Sequence, residues 1–201
     1  MSVDHLTTDR LRLRVEKVFI EHIKLCQDNF LYFVQEMWQD FMCRKEKDKS
    51  KWGHHQIIAH EFSKIANERK GRLIINMPPR HTKSEFASVY FPAWMIGKYP
   101  KLKIMQVSHN TELAVRFGSK VRNIIDSQEY KQIFGDVKLR EDSKAKGRWE
   151  TNHGGEYYAA GVGASITGRG ADLLIIDDPH TEQDSMSDLA MERAYEWYTS
   201  G

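Results

Sequence analysis

The chain has 201 residues, 30 Lys+Arg against 28 Asp+Glu, and a formal net charge of +2. That length suits one ordinary domain with a sizeable core and an appended arm. A 40% hydrophobic share with 29% charged residues excludes a disordered chain, and the near-balanced charge excludes a histone-like coat on nucleic acid.

Cys26 and Cys43 are too few for a disulfide scaffold and lack zinc-site spacing. No run approaches the ~20 apolar residues of a membrane span. The start of the chain, with Asp4 and Asp9, lacks a signal-peptide pattern. A soluble intracellular protein is expected.

The first 40 residues read as helical, with Phe30, Phe33, Val34, Met37, Trp38 and Phe41 recurring at spacings of three and four on one core-facing stripe. Arg44 to Lys51 follows as a charged break, five basic against two acidic. A solvated loop accounts for it, and a phosphate-contacting patch is the alternative. Gln56 to Ala66 reads as a helix ended by Gly71, and Arg72 to Met77 as a buried parallel strand. Ser84 to Ile96 is helical, with a kink or early stop expected at Pro92.

Leu102 to Val107 is a second buried strand, and Asn110 or Thr111 caps a helix through Asp126. A short helix ends near Gly135, and Val137 to Lys146 reads as a polar loop. Strands follow at Glu156 to Ala160 and Leu173 to Ile176, then a helix over Met186 to Tyr198. Helices alternating with strands predict an α/β domain with a largely parallel sheet flanked by helices, behind an N-terminal helical arm.

Between the first predicted strand and its helix lies Met77-Pro78-Pro79-Arg80-His81-Thr82-Lys83-Ser84. A phosphate-binding loop needs a strand, a tight turn of backbone N–H groups, a helix N-terminus, a Lys for the phosphates and a Ser or Thr for Mg²⁺. Lys83 and Ser84 supply the last two, although the pattern wants Gly where Met77 and Thr82 stand. The same residues also suit a Pro-rich turn whose Ser84 merely caps a helix.

Leu173-Leu174-Ile175-Ile176 runs straight into Asp177-Asp178. After such a strand the first carboxylate can hold Mg²⁺ and the second can orient and deprotonate water. A polar loop with a helix-capping Asp is the alternative. Arg169 sits between Gly168 and Gly170 in a mobile loop that presents its guanidinium. It suits a γ-phosphate in the same or a neighbouring subunit, a DNA phosphate, or solvent. Arg80 competes for γ-phosphate sensing.

Pro78-Pro79-Arg80-His81-Thr82-Lys83-Ser84-Glu85 together with Ile175-Ile176-Asp177-Asp178-Pro179 resembles the ATPase domain of the large terminase subunit, the motor that packages DNA into tailed-phage heads. Family loops often read Pro-Pro-Arg-His-Gly-Lys-Ser, so Thr82 departs from that form. The family's acidic strand usually ends Asp-Glu, so Asp178 departs too, with Glu182 the reserve catalytic carboxylate. Trp52 to Gln56 is similar to the family's adenine-contacting motif, with Gln56 reading the adenine edge. The resemblance covers roughly residues 30–201.

That resemblance implies an N-terminal helical arm or lid over residues 1–50. Over 51–201 it implies a P-loop ATPase core of the additional-strand class. The segment Pro79, Arg80, His81, Thr82, Lys83 and Ser84 would bind nucleotide. Ser84 and Asp177 would hold Mg²⁺, Asp178 would activate water, and Arg169 would complete a neighbour's site. ATP would be the substrate and double-stranded DNA the cargo. A homo-oligomeric ring, a portal protein and a small terminase subunit are implied partners, in the host cell cytoplasm and away from membranes. The chain is expected to stop before the family's coupling motif and to lack its C-terminal nuclease. Alternatives are a superfamily 2 helicase-like ATPase and a non-catalytic nucleotide- or DNA-binding module.

Overall fold

The computed structural model describes residues 3–41, 53–69, 71–166 and 168–200. The basic run from Arg44 to Lys51, Trp52 and Thr167 lie outside the described residues. The chain forms two compact units, Met1–Gly71 and Arg72–Gly201.

The first unit is helical: α1 over Val3–Asp28, α2 over Phe30–Met37 and α3 over Gly53–Glu68. Asn29 separates α1 from α2, because its side-chain oxygen accepts from the amides of Leu31 and Tyr32 and caps the second helix. The apolar stripe faces a core as its spacing predicts, with Phe30, Phe33, Val34 and Phe41 buried. Phe30 meets Phe62 of α3 edge-to-face at 5.4 Å, and Phe41 meets His55 at 4.9 Å. Thus α3, which the motif reading groups with residues 51–201, packs here on α2.

The second unit is mixed α/β. Lys83 and Ser84 are already helical, and the helix continues as a π turn over Glu85–Tyr90 and as α4 over Phe91–Lys98. Then follow β1 (Lys103–Ser108), α5 (Thr111–Asp126), α6 (Gln128–Ile133), β2 (Leu139–Ala145), β3 (Arg148–Thr151) and β4 (Glu156–Gly161). The chain closes with β5 (Leu173–Ile176), a 3-10 turn (Asp184–Met186) and α7 (Asp188–Ser200). The sheet order is β2-β3-β4-β1-β5. Strands β4, β1 and β5 are parallel, whereas β2 and β3 are antiparallel.

Three expectations are corrected. Arg72 to Met77 is not a strand: it is irregular, and Ile74 is 86% exposed. An apolar run becomes a strand only with a ladder partner, and no described strand pairs with it. Pro92 does not end its helix, and the irregularity beside it is a π turn. An α-helical turn would press its ring against the carbonyl four residues back, and the π turn just before it, where the Phe91 amide donates to Phe86 instead, widens the spiral. Finally, Val137 to Lys146 contains β2. Its Arg140, Glu141, Asp142 and Lys144 carry no apolar stripe, because β2 is a charged outer edge.

The two faces of β1 pack differently. Gln106 turns toward the helix that starts at Lys83, where its amide reaches Ser88, and Tyr157 of the neighbouring β4 packs under α5. Met105, Val107 and Ala160 are covered on the other side by Val162, Ala164, Ile166 and Trp197. The crossovers from β1 to β4 and from β4 to β5 run in opposite directions across the sheet. Placing them on opposite faces therefore gives both the same hand. Trp149 stacks on Tyr157 at 4.8 Å and donates to the Gly118 carbonyl.

A Cβ on Gly118 would lie 2.8 Å from both the Lys146 carbonyl oxygen and the Tyr157 ring, so α5 approaches the sheet only because glycine stands there. Gly118→Ala is expected to destabilise the protein by about 1–3 kcal/mol. A denaturant midpoint equal to wild type would show that α5 has room to spare.

Candidate functional site

The site begins in the turn Pro78–Thr82. Two prolines fix the entry, the Pro79 carbonyl accepts from His81 Nδ1 at 2.9 Å, and the Thr82 hydroxyl donates to the His81 carbonyl at 2.5 Å. Arg80 and Thr82 take φ of 64° and 66°, the left-handed region. For a β-branched Thr that conformation costs about 1–2 kcal/mol. The missing glycine is therefore a real departure: the backbone bends as glycine would let it, and Thr82 bears the strain. From the Thr82 carbonyl, which accepts from the Phe86 amide at 3.0 Å, the helix begins.

The strand end supplies the other half. The Asp177 amide extends the ladder to the Val107 carbonyl at 2.9 Å, and the Asp178 carbonyl accepts from the His109 amide at 3.0 Å. Asp178 itself turns left-handed, with φ of 47°. These bonds place both carboxylates at the C-terminal end of the parallel strands, where open α/β sheets form their crevice.

Lys83 joins the halves. Its ammonium lies 2.5 Å from Asp178 Oδ1 and 3.4 Å from Asp177 Oδ1. Burial pushes the lysine pKa down, but the hydrogen bonds and charges of Asp178 and Asp177 outweigh it and hold it above the ordinary lysine value. Asp177 is 5% exposed and its Oδ2 accepts from Ser88 Oγ at 2.9 Å, whereas the Asp178 side chain is 56% exposed. One carboxylate is fixed and dry. The other is open to water.

The remaining predicted residues are placed as follows. Ser84 is half-buried at the helix start and makes no capping bond, so the serine that touches Asp177 is Ser88. Glu182 is exposed in the turn after β5, where its carbonyl accepts from Ser185. Gln56 is exposed on α3 of the first unit.

Arg169 stacks over the Tyr158 ring at 4.0 Å and lies 3.9 Å from Glu156. In register, Glu156 is level with Lys103 and Tyr158 with Met105, while Asp177 follows Ile176, the partner of Val107. At ~3.3 Å per residue, the contacts of Arg169 lie about 10–17 Å below the acid pair. There they help line a cavity of about 410 Å³ with Lys103 and Arg148. The fold does not bring Arg169 to Lys83 within one chain.

Sequence reasoning missed Ser88, Gln106 and His109. Ser88 was findable, since it follows Ser84 by four residues, the spacing of one helix face. His109 follows the buried strand directly, and its Nδ1 lies 3.3 Å from the Asp178 carbonyl. Gln106 is a polar residue inside an apolar strand, which is a signal in itself.

Among the described residues no three His, Cys, Asp or Glu side chains converge as a metal cage. Two adjacent carboxylates, one of them bonded to the Ser88 hydroxyl, fit Mg²⁺, which keeps several waters and takes phosphate oxygens to complete its shell. Among the described residues, also, no helix is long and apolar enough to cross a membrane. No protein-family model matches the chain, and no curated protein matches it.

Thr82→Gly removes the β-branched strain and is expected to stabilise the fold by roughly 0.5–1 kcal/mol, after allowing for glycine's greater unfolded-state entropy. Thermal denaturation checks this, and a lower midpoint would contradict the left-handed placement of Thr82.

Proposed function

We propose that the second unit is a P-loop ATPase of the additional-strand class, the motor domain of a large terminase subunit that couples ATP hydrolysis to translocation of double-stranded DNA into a procapsid. The observation that supports this reading best is the meeting of Lys83, at the start of the helix after the turn, with Asp177 and Asp178 at the end of a parallel strand. The left-handed residues support it as well. Among the described residues, three of the four non-glycine residues with positive φ are Arg80, Thr82 and Asp178, which flank this one corner. Backbone strain concentrated at one place points to a function there.

In this reading the backbone from Pro79 to Thr82 and the Lys83 ammonium cradle the phosphates, and Arg80 and His81 line the approach. Ser84 and Asp177 hold the metal. Mg²⁺, when bound, neutralises charge on the β- and γ-phosphates. Asp178, open to water, accepts the proton of the attacking water, with Glu182 in reserve. Arg169, remote from Lys83 within its own chain, acts on the nucleotide of a neighbour in a homo-oligomeric ring. The portal protein, the small terminase subunit and the host cytoplasm complete the proposed setting.

Phosphate release from ATP tests the assignment. Wild type is expected to turn over ATP in the presence of Mg²⁺, and Lys83→Ala to lose about a hundredfold or more. Equal turnover by the two would sink the reading. For the neighbour's arginine, Arg169→Ala and Lys83→Ala should each be inactive alone and recover activity on mixing. A mixture as inactive as its parts would remove Arg169 from that role.

A further inference from the structure

Behind Asp177 stand two buried side chains to which the ATPase reading gives no role. Ser88, on the π turn, is fully buried and donates to Asp177 Oδ2 at 2.9 Å. Its oxygen in turn accepts from Nε2 of Gln106 at 3.3 Å. Gln106 lies in the middle of β1 and is also fully buried.

Gln106 is expensive where it stands. Its Oε1 has no hydrogen-bond partner among the described residues. A buried amide whose oxygen is unmet is destabilising, and a central strand between two layers favours an apolar side chain of the same volume. Among the described residues, the one bond Gln106 makes from Nε2 is to Ser88. That bond has a directional effect. A serine hydroxyl carries a single proton and rotates to suit its surroundings. With Gln106 donating into the Ser88 oxygen, the Ser88 proton is left to point at Asp177. The line from amide to hydroxyl to carboxylate then fixes the rotation of Asp177, so that Oδ1 faces Lys83 at 3.4 Å.

We infer that Gln106 and Ser88 are positioning residues that set the carboxylate of Asp177 for a nucleotide-bound divalent cation. This rests on the ATPase reading. Outer-shell partners of a metal-ligating carboxylate orient it, and their loss typically costs about 10–100-fold in metal affinity or activity. A tie that merely anchors the helix to the sheet would behave differently, because its loss would lower stability and leave metal dependence alone.

The test uses the full chain with Gln106→Met, Ser88→Ala and Ser88→Thr. Two quantities are read: the thermal midpoint without ligand, and the affinity for ADP with Mg²⁺ and with EDTA. Gln106→Met should keep or raise the midpoint and leave the EDTA affinity within about twofold. It should also raise the Mg²⁺ concentration needed for tight binding by about tenfold or more. Ser88→Ala should shift Mg²⁺ dependence in the same way, and Ser88→Thr, which keeps the hydroxyl, should restore it. A lowered midpoint in Gln106→Met with unchanged Mg²⁺ dependence would overturn the inference and leave the ATPase reading intact. If wild type itself binds ADP no better with Mg²⁺ than without, the ATPase reading and this inference fall together.

Discussion

Strand β1 is the constraint on which the second unit depends. It hydrogen-bonds to β4 on one side and β5 on the other, with its residues buried from Ile104 to Ser108. Its register with β5 sets the height of Asp177, and its Gln106 reaches the helix that starts at Lys83. The acid pair and the lysine therefore meet because one buried strand fixes both the sheet edge and the helix start. The ion pair sits on that frame.

Much of this was legible in the amino-acid order. The runs at Leu102–Val107, Glu156–Ala160 and Leu173–Ile176 are short, apolar and bounded by breakers, and all three became parallel strands. Asn110 was one of two candidate caps, and it accepts from the Leu113 amide at 2.8 Å. What could not be read depends on partners distant in sequence. Arg72–Met77 has the composition of a buried strand, but pairing is not a local property. Strand β2 has the composition of a loop, yet Arg140 pairs with Glu150 across the hairpin and its edge needs no apolar face. Lys83 and the acids were identified by residue type, while Ser88 and Gln106, whose spacing and polarity were visible in the sequence, took on a role through their hydrogen bonds.

Several of the local rules that this chain breaks are broken at one corner. A β-branched residue in a left-handed turn, an arginine beside it in the same region, a left-handed aspartate and a buried amide with an unmet oxygen all surround Lys83 and Asp177. Much of the rest follows its pattern: the aromatic stripe of α2 is buried, Trp149 stacks on Tyr157, and glycine stands where α5 meets the sheet, while Arg69 and the exposed Ile74 are exceptions outside that corner.

The sheet also ends in two unlike ways. Its β2 edge is lined with Arg140, Glu141, Asp142 and Lys144, charges that repel an incoming strand. Among the described residues the β5 edge has no such guard: Leu174 is 44% and Ile176 is 39% exposed, and the one strand paired with β5 is β1. An unguarded apolar edge is a template for a further strand, so among the described strands β5 is the edge better suited to strand addition. A single lysine in place of Leu174 would be the economical way to make it better behaved.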